Sequence, residues 1–243
     1  MNKLLRLLVF LLSLSQPLFA YVMNNSSSIM DENGSEPFIT PAGYTFSIWG
    51  VIVIGSIAYG VYQVLPINAK KKVYDYIAPY SIITFIGFDA WLLAADQEKL
   101  LLTVMIFMIM GIALFLSYRH IVSAAFNTFE KIAVYGTFSL YFGWTTVAIF
   151  ANIAAALSFY GLPNTGVLWQ MAVLIAAAAT SLVLLMRFSF PLPYLMTIIW
   201  AFTGILVRTT GAGKEVLPLT FLTITAIVVF IVLALRNKYN LRK

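Results

Sequence analysis

The chain has 243 residues, of which 61% are hydrophobic and only 10% are charged, and its formal net charge is +6. A soluble domain has about 45–50% apolar and about 25% charged residues, so this composition excludes an ordinary water-soluble core. The absence of cysteine excludes disulfides, thiolate nucleophiles and cysteine-ligated metal sites. The basic residues lie between apolar runs and not on one soluble face, so the charge indicates membrane topology and no nucleic-acid partner.

The first twenty residues fit two interpretations. Lys3 and Arg6 precede an apolar run, and Pro17 precedes Leu18-Phe19-Ala20, which is the build of a secretory signal peptide. The apolar character resumes as far as Met23, however, and so reaches the ~20 residues that a spanning helix needs. We favour a retained first helix over about residues 4–23, and with either interpretation the next segment emerges on the same side of the membrane.

Seven further apolar stretches predict spanning helices. A polar outer loop over residues 24–40 contains three acidic residues, no Lys or Arg, and three Asn-x-Ser patterns that have meaning only in a glycosylating host. Pro41 and Gly43 close this loop where the second helix begins. The predicted helices cover about residues 44–65, 74–95, 100–116, 134–159, 167–186, 192–207 and 216–235. We therefore predict an all-α, polytopic membrane helical bundle of about eight helices (seven if the first is cleaved), forming a single transmembrane domain over residues 1–243.

Two local features carry further expectations. Pro79 should interrupt the third helix, because proline lacks the backbone N–H and clashes with the preceding turn. The connection over residues 118–131 contains His120, the only histidine, and is a candidate for a short surface helix.

The distribution of Lys and Arg predicts the orientation of the helices. With the N-terminus inside, twelve basic residues fall on the inner side, and only Lys99, Arg208 and Lys214 fall on the outer side. Basic residues gather on the cytoplasmic side of membrane proteins, so both termini are expected to be cytoplasmic if the first helix is retained.

Asp89 is the most informative polar residue. A carboxylate in a spanning helix costs ~2.5–3.5 kcal/mol near the membrane centre on insertion scales, so it normally faces the bundle interior. It lies roughly seven residues, or about 10 Å, from the outer end of the third predicted helix. Trp49 and Asn152 are expected at a comparable depth, Trp91 lies half a turn further out, and Arg208 could reach inward from the outer end of its helix.

These residues predict a layer of polar and aromatic groups in the outer half of the bundle. One interpretation is a ligand pocket in which the Trp side chains form the walls and Asp89 or Asn152 orients the ligand, since such pockets are mostly apolar with a few placed polar groups. The other is that Asp89, Asn152 and Arg208 only bond one another and the neighbouring helix backbones. The residues themselves leave both interpretations open.

The sequence offers little for catalysis. His120 is expected in a solvated inner loop, away from Asp89. The hydroxyls of Ser47, Thr145 and Thr146 have no neighbouring base, and no HExxH motif or phosphate-binding glycine loop occurs. We therefore expect no enzymatic activity, no cofactor and no metal site.

Three segments resemble one known family. The stretch Pro41-Ala42-Gly43-Tyr44-Thr45-Phe46-Ser47-Ile48-Trp49-Gly50, followed by Ala58-Tyr59, resembles the loop-to-helix segment of the TspO/MBR family of tryptophan-rich sensory proteins, translocator proteins and peripheral benzodiazepine receptors. Asp89-Ala90-Trp91 is similar to that family's Asn-x-x-Trp type segment, and Pro193-Tyr194 with Trp200 is similar to its last helix. The resemblance implies a longer branch, in which extra helices surround a five-helix core.

The resemblance also implies a function. It suggests an integral membrane receptor or transporter of a hydrophobic or amphipathic small molecule, with porphyrins or sterols as the substrate class and with Phe46, Trp49, Asp89, Trp91 and Trp200 lining the site. Membrane lipids are the expected surroundings, and a homodimer remains open. The alternatives are a non-catalytic assembly or scaffold protein and, less favoured, an intramembrane enzyme that acts on lipid or tetrapyrrole.

Overall fold

The structure, a computed structural model, describes residues 3–24 and 36–240. Eight segments within these residues are long and apolar enough to cross a membrane, which confirms the predicted polytopic all-α bundle. The α-helices are α1 Lys3–Asn24, α2 Ile48–Val64, α3 Lys72–Asp96, α4 Leu100–Ile121, α5 Thr128–Glu130, α6 Thr137–Phe159, α7 Val167–Arg187, α8 Leu192–Thr210 and α9 Leu217–Asn240. Three 3₁₀ turns lie at Gly43–Ser47, Pro66–Asn68 and Lys214–Val216, and a π-helical segment, Lys131–Gly136, leads into α6.

Several boundaries differ from the sequence-based expectation. α3 passes through Pro79 without a break, since one missing backbone hydrogen bond is tolerated when neighbouring helices pack around the site. α4 continues to Ile121 and so includes His120, which stacks on the ring of Tyr76 with centroids 5.3 Å apart. The expected surface helix over 118–131 is therefore reduced to the single turn of α5. Residues 25–35 of the predicted polar loop, with most of its Asn-x-Ser patterns, lie outside the described residues.

The contacts among the described residues group the chain into two compact units. The first unit consists of residues 3–24 and 47–142, and the second of residues 36–46 and 143–240. Helix α6 belongs to the first unit as far as Phe142 and to the second from Gly143 onward. The predicted motif over residues 41–50 is likewise divided, because its part up to Phe46 belongs to the second unit.

In the first unit, α1 packs against α2 and α3, and α3 packs against α4. Two glycines allow these close approaches. A Cβ at Gly60 would lie 2.2 Å from Oγ of Ser13 in α1, and a Cβ at Gly87 would lie 2.4 Å from Cγ of Met110 in α4. Small residues at helix contacts are typical of membrane bundles, where packing and not water exclusion drives association.

A buried arginine fixes the start of α1 to the link between α2 and α3. The Arg6 guanidinium pairs with Asp75 at 2.9 Å and donates to the carbonyl oxygens of Gln63, Asn68 and Lys71 at 3.2, 2.9 and 2.8 Å. In return, the Gln63 side-chain amide donates to the Arg6 carbonyl oxygen at 2.7 Å. Helix α1 is thus an integral part of the first unit, and its removal would leave Asp75 without its charge partner.

A second ion pair, buried on the side of its carboxylate, fixes the start of the α5–α6 region. The Glu130 carboxylate, with an exposure of 0%, accepts from the Lys71 ammonium and from the Tyr74 hydroxyl. Glu130 also forms a capping box with Asn127. The side chain of each residue accepts a hydrogen bond from the backbone N–H of the other. The turn that begins at Asn127 is therefore held to α3 by charge as well as by its cap.

In the second unit, α9 packs against α7 and α8, and the segment 36–46 lies along α8. The indole N–H of Trp200 donates to the carbonyl oxygen of Thr45 at 2.9 Å, and the backbone N–H of Ala42 donates to the carbonyl oxygen of Gly204 at 3.1 Å. Glycine is required at position 204, because a Cβ there would lie 2.3 Å from Cγ2 of Thr45.

Candidate functional site

Asp89 lies on α3 with only 8% of its surface exposed. Its Oδ2 accepts a hydrogen bond from the Ser15 hydroxyl of α1 at 2.5 Å. Its Oδ1 is buried and has no hydrogen-bond partner among the described residues. An acceptor in that state is costly inside a membrane protein, so half of this carboxylate's bonding capacity is available to another group.

Two further buried polar groups belong to the same unit. Gln16, next to Ser15 in α1, has an exposure of 0%, and neither atom of its amide makes a hydrogen bond among the described residues. Tyr141 of α6 is 1% exposed, its hydroxyl likewise has no hydrogen-bond partner in that part of the chain, and it lies within electrostatic range of Asp89. Buried polar atoms are normally satisfied, so these unsatisfied groups require an explanation.

Aromatic rings from four helices meet beside Asp89 and Tyr141. The Trp49 ring of α2 packs against Phe88, Trp91 and Tyr141 with centroid distances of 4.8, 5.5 and 5.5 Å. Trp91 in turn packs edge-on against Phe107 of α4 at 5.1 Å. Trp49 is partly exposed, whereas Phe88, Trp91 and Tyr141 are buried.

We refer to this arrangement as the Asp89 cluster. It consists of Ser15, Trp49, Phe88, Asp89, Trp91 and Tyr141. Tyr141 connects its polar and aromatic parts, because its ring contacts Trp49 and its phenol lies within electrostatic range of the carboxylate. A buried acceptor next to flat apolar rings can hold an amphipathic molecule and orient its one polar end.

The other predicted site residues belong to the second unit and have partners there. The Asn152 amide donates to the Ala148 carbonyl oxygen of its own helix at 2.8 Å, and Arg208 forms an ion pair with Glu36 at 2.8 Å. Phe46 packs edge-on against Trp144 at 5.3 Å. Trp200, 37% exposed, bonds the backbone of the 3₁₀ turn. Each of these four residues thus has a contact within the second unit.

His120 and Thr145 have no hydrogen-bonded acid or base among the described residues. His120 is exposed at the last turn of α4 and contacts tyrosine rings. Thr146 accepts from the Tyr194 hydroxyl at 3.0 Å, and no base is hydrogen-bonded to the buried Thr145 hydroxyl in the described part of the chain. No group of three or more His, Cys, Asp or Glu that could hold a metal is found over residues 3–24 and 36–240.

Sequence reasoning missed the contribution of α1 to the cluster. Its polar residues Ser13, Ser15 and Gln16 were consistent with the polar end of a signal peptide, and so they were not considered as site residues. One signal was available for the packing of α1, although not for Ser15 itself: Arg6, Val9, Ser13 and Gln16 recur every three or four residues and are all buried. A polar stripe on one face of an apolar helix indicates a face that packs in the bundle interior.

The fold and the cluster define the class of the protein: a polytopic helical membrane protein with a polar and aromatic cluster inside its spanning helices. The family model described as TSPO-like protein matches residues 2–236, and the chain therefore belongs to this family. The match includes α1 as well as α2–α8. Comparison with curated proteins and with solved structures finds no match for the chain.

Proposed function

We propose that the protein binds a hydrophobic or amphipathic small molecule within the membrane, through the Asp89 cluster. The single observation that carries this proposal is the buried Oδ1 of Asp89, which has no hydrogen-bond partner in the described part of the chain. A carboxylate costs several kcal/mol in a spanning helix unless a partner compensates for it. Ser15 supplies one hydrogen bond, and a ligand would supply the other.

The chemistry of the cluster limits the ligand. An ionised carboxylate only accepts hydrogen bonds, so the polar end of the ligand must donate through a hydroxyl, a pyrrole or amide N–H, or a protonated amine. The neighbouring indole and phenyl rings favour a flat or extended apolar body, and they would also attract a cation. Sterols, porphyrins and long-chain amines all meet this description.

Membership of the TSPO-like family is compatible with binding of a small apolar molecule. The family resemblance implies porphyrins or sterols as the substrate class. The chain belongs to the TSPO-like family, and we propose that it acts as a receptor or transporter of such a ligand. Helix α1 would be an addition to the site in this chain, because Ser15 bonds the carboxylate that would contact the ligand.

Tryptophan fluorescence of the purified full-length protein in detergent tests the proposal. Titration with protoporphyrin IX, cholesterol and hexadecylamine should give saturable quenching for at least one of them. In Trp49→Phe and Trp91→Phe, the ligand-dependent quenching should be lost or the ligand affinity should fall at least about tenfold. Each of these rings is part of the Asp89 cluster.

Trp169→Phe is the matched control. This indole lies at the start of α7 in the second unit and donates to the Pro163 carbonyl oxygen at 3.1 Å. Its removal should leave the affinity unchanged. Equal affinities in all three variants would show that the ligand binds elsewhere, and the absence of saturable quenching by any of the three compounds would argue against the function.

A further inference from the structure

A cavity of about 440 Å³ opens at the N-terminal end of α1 in the first unit. It lies between the start of α1 and the end of α2, and it is separate from the Asp89 cluster. Its walls are formed by Lys3, Arg6, Leu7, Gln63, Val64, Pro66 and Ala69. Because it is at the ends of two spanning helices, it is at the level where lipid headgroups meet the hydrocarbon core.

Part of the cavity lining is apolar and exposed. Leu7 and Val64 keep 48% and 38% of their surfaces accessible, and Pro66 is exposed as well. A groove of this kind at the end of a spanning helix can hold an acyl chain without burying any unsatisfied polar group.

The lining of the cavity is also positively charged. Arg6 is not available to a ligand, since its charge is paired with Asp75 and its N–H groups bond backbone carbonyls. Lys3 lines the cavity, and Lys70 directly follows the lining residue Ala69 in the chain. Both lysines are exposed, and neither forms an ion pair within the described part of the chain. No acidic residue lines the cavity, so Lys3 gives its lining a net positive charge.

We propose that this cavity binds one phospholipid with an anionic headgroup. Lys3 and Lys70 would contact the phosphate region, and Leu7 and Val64 would contact an acyl chain. Basic pockets between spanning helices are suited to anionic headgroups, and each nearby lysine is worth roughly a fivefold gain in affinity. A zwitterionic lipid would use the apolar wall but gain little from the lysines, and free phosphate would use the lysines but not the wall.

Native mass spectrometry of the delipidated full-length protein tests this site. Titration with phosphatidylglycerol should give one tight site, and phosphatidylcholine should bind at least tenfold more weakly. The double variant Lys3→Gln/Lys70→Gln should lose roughly 25-fold in phosphatidylglycerol affinity, the product of two single losses. Val64→Phe, which fills the groove without changing charge, should weaken the site as well.

The control is Lys99→Gln/Lys214→Gln, which removes the same charge from two exposed lysines far from α1 in sequence. It should retain the tight site. Equal affinity for the two lipids, equal losses in both double variants, or full competition by inorganic phosphate would each overturn the proposal. Ligand binding at the Asp89 cluster is measured separately, so either conclusion can fail without the other.

Discussion

Two aspartates of α3 occupy very different environments. Asp75 pairs with the Arg6 guanidinium, whereas Asp89 has only the Ser15 hydroxyl as a partner among the described residues. The sequence placed Asp89 inside a helix and so identified it as unusual. It could not identify Ser15, because the pairing depends on how α1 packs against α3, which no local pattern encodes.

Arg6→Met should destabilise the first unit by at least about 2 kcal/mol, because it removes a charged hydrogen bond and leaves several backbone carbonyls without donors. Thermal unfolding in detergent measures the effect. The comparison is Lys99→Met, an exposed lysine in the α3–α4 link, which should change stability by less than about 0.5 kcal/mol. Similar unfolding temperatures for the two variants would refute the role assigned to Arg6.

At the scale of elements, hydrophobic runs predicted the existence of all eight spanning segments, and their ends were less predictable. α4 extends to Ile121 and α9 to Asn240, beyond the expected ends at 116 and 235. Charged residues such as Arg119 and Arg236 mark the limit of the apolar run, but a helix can continue through them once it has left the hydrocarbon. Hydropathy therefore reports the membrane-embedded part of a helix and not its last turn.

The contact between segment 36–46 and α8 depends on Gly204. Gly204→Ala should cost about 1–3 kcal/mol, because the new Cβ would overlap the buried Thr45 side chain. Gly50→Ala is the control, since a Cβ there would meet no atom within 4 Å and alanine favours a helix. Chemical denaturation of both variants measures the difference, and a Gly204→Ala protein as stable as Gly50→Ala would contradict the close packing.

At the scale of the whole molecule, the composition and the arrangement of apolar runs were sufficient to predict a polytopic bundle, because few structures can satisfy the backbone in lipid. The residues of the candidate site were predictable only in part, and their role in binding stays a prediction. Trp49, Asp89 and Trp91 do lie in one unit and the two indoles contact each other, whereas Asn152, Trp200 and Arg208 have partners in the other unit. Depth along a helix was readable from the sequence, but the direction in which each side chain points was not.

The orientation predicted from the charge distribution can be tested directly, because the chain contains no native cysteine. Single variants Lys99→Cys and Lys70→Cys lie in links at opposite ends of α3. In intact cells, a membrane-impermeant maleimide should label Lys99→Cys, and it should label Lys70→Cys only after permeabilisation. The reverse pattern would place both termini on the outside.

We propose that Asp89 serves a ligand and not only the fold, and Asp89→Leu distinguishes the two roles. Removal of a carboxylate from a spanning helix should leave the unfolding temperature unchanged or raise it, and Ser15 can still donate to the Leu12 carbonyl oxygen.

The decisive measurement is the affinity of wild type and Asp89→Leu for protoporphyrin IX, cholesterol and hexadecylamine, with the unfolding temperature recorded in parallel. We expect at least one compound to bind the wild type and to bind the variant roughly 10–150-fold more weakly, the value of a hydrogen bond to a charged group. Equal affinity in the two proteins, or a variant that is strongly destabilised, would instead make Asp89 a structural link between α1 and α3.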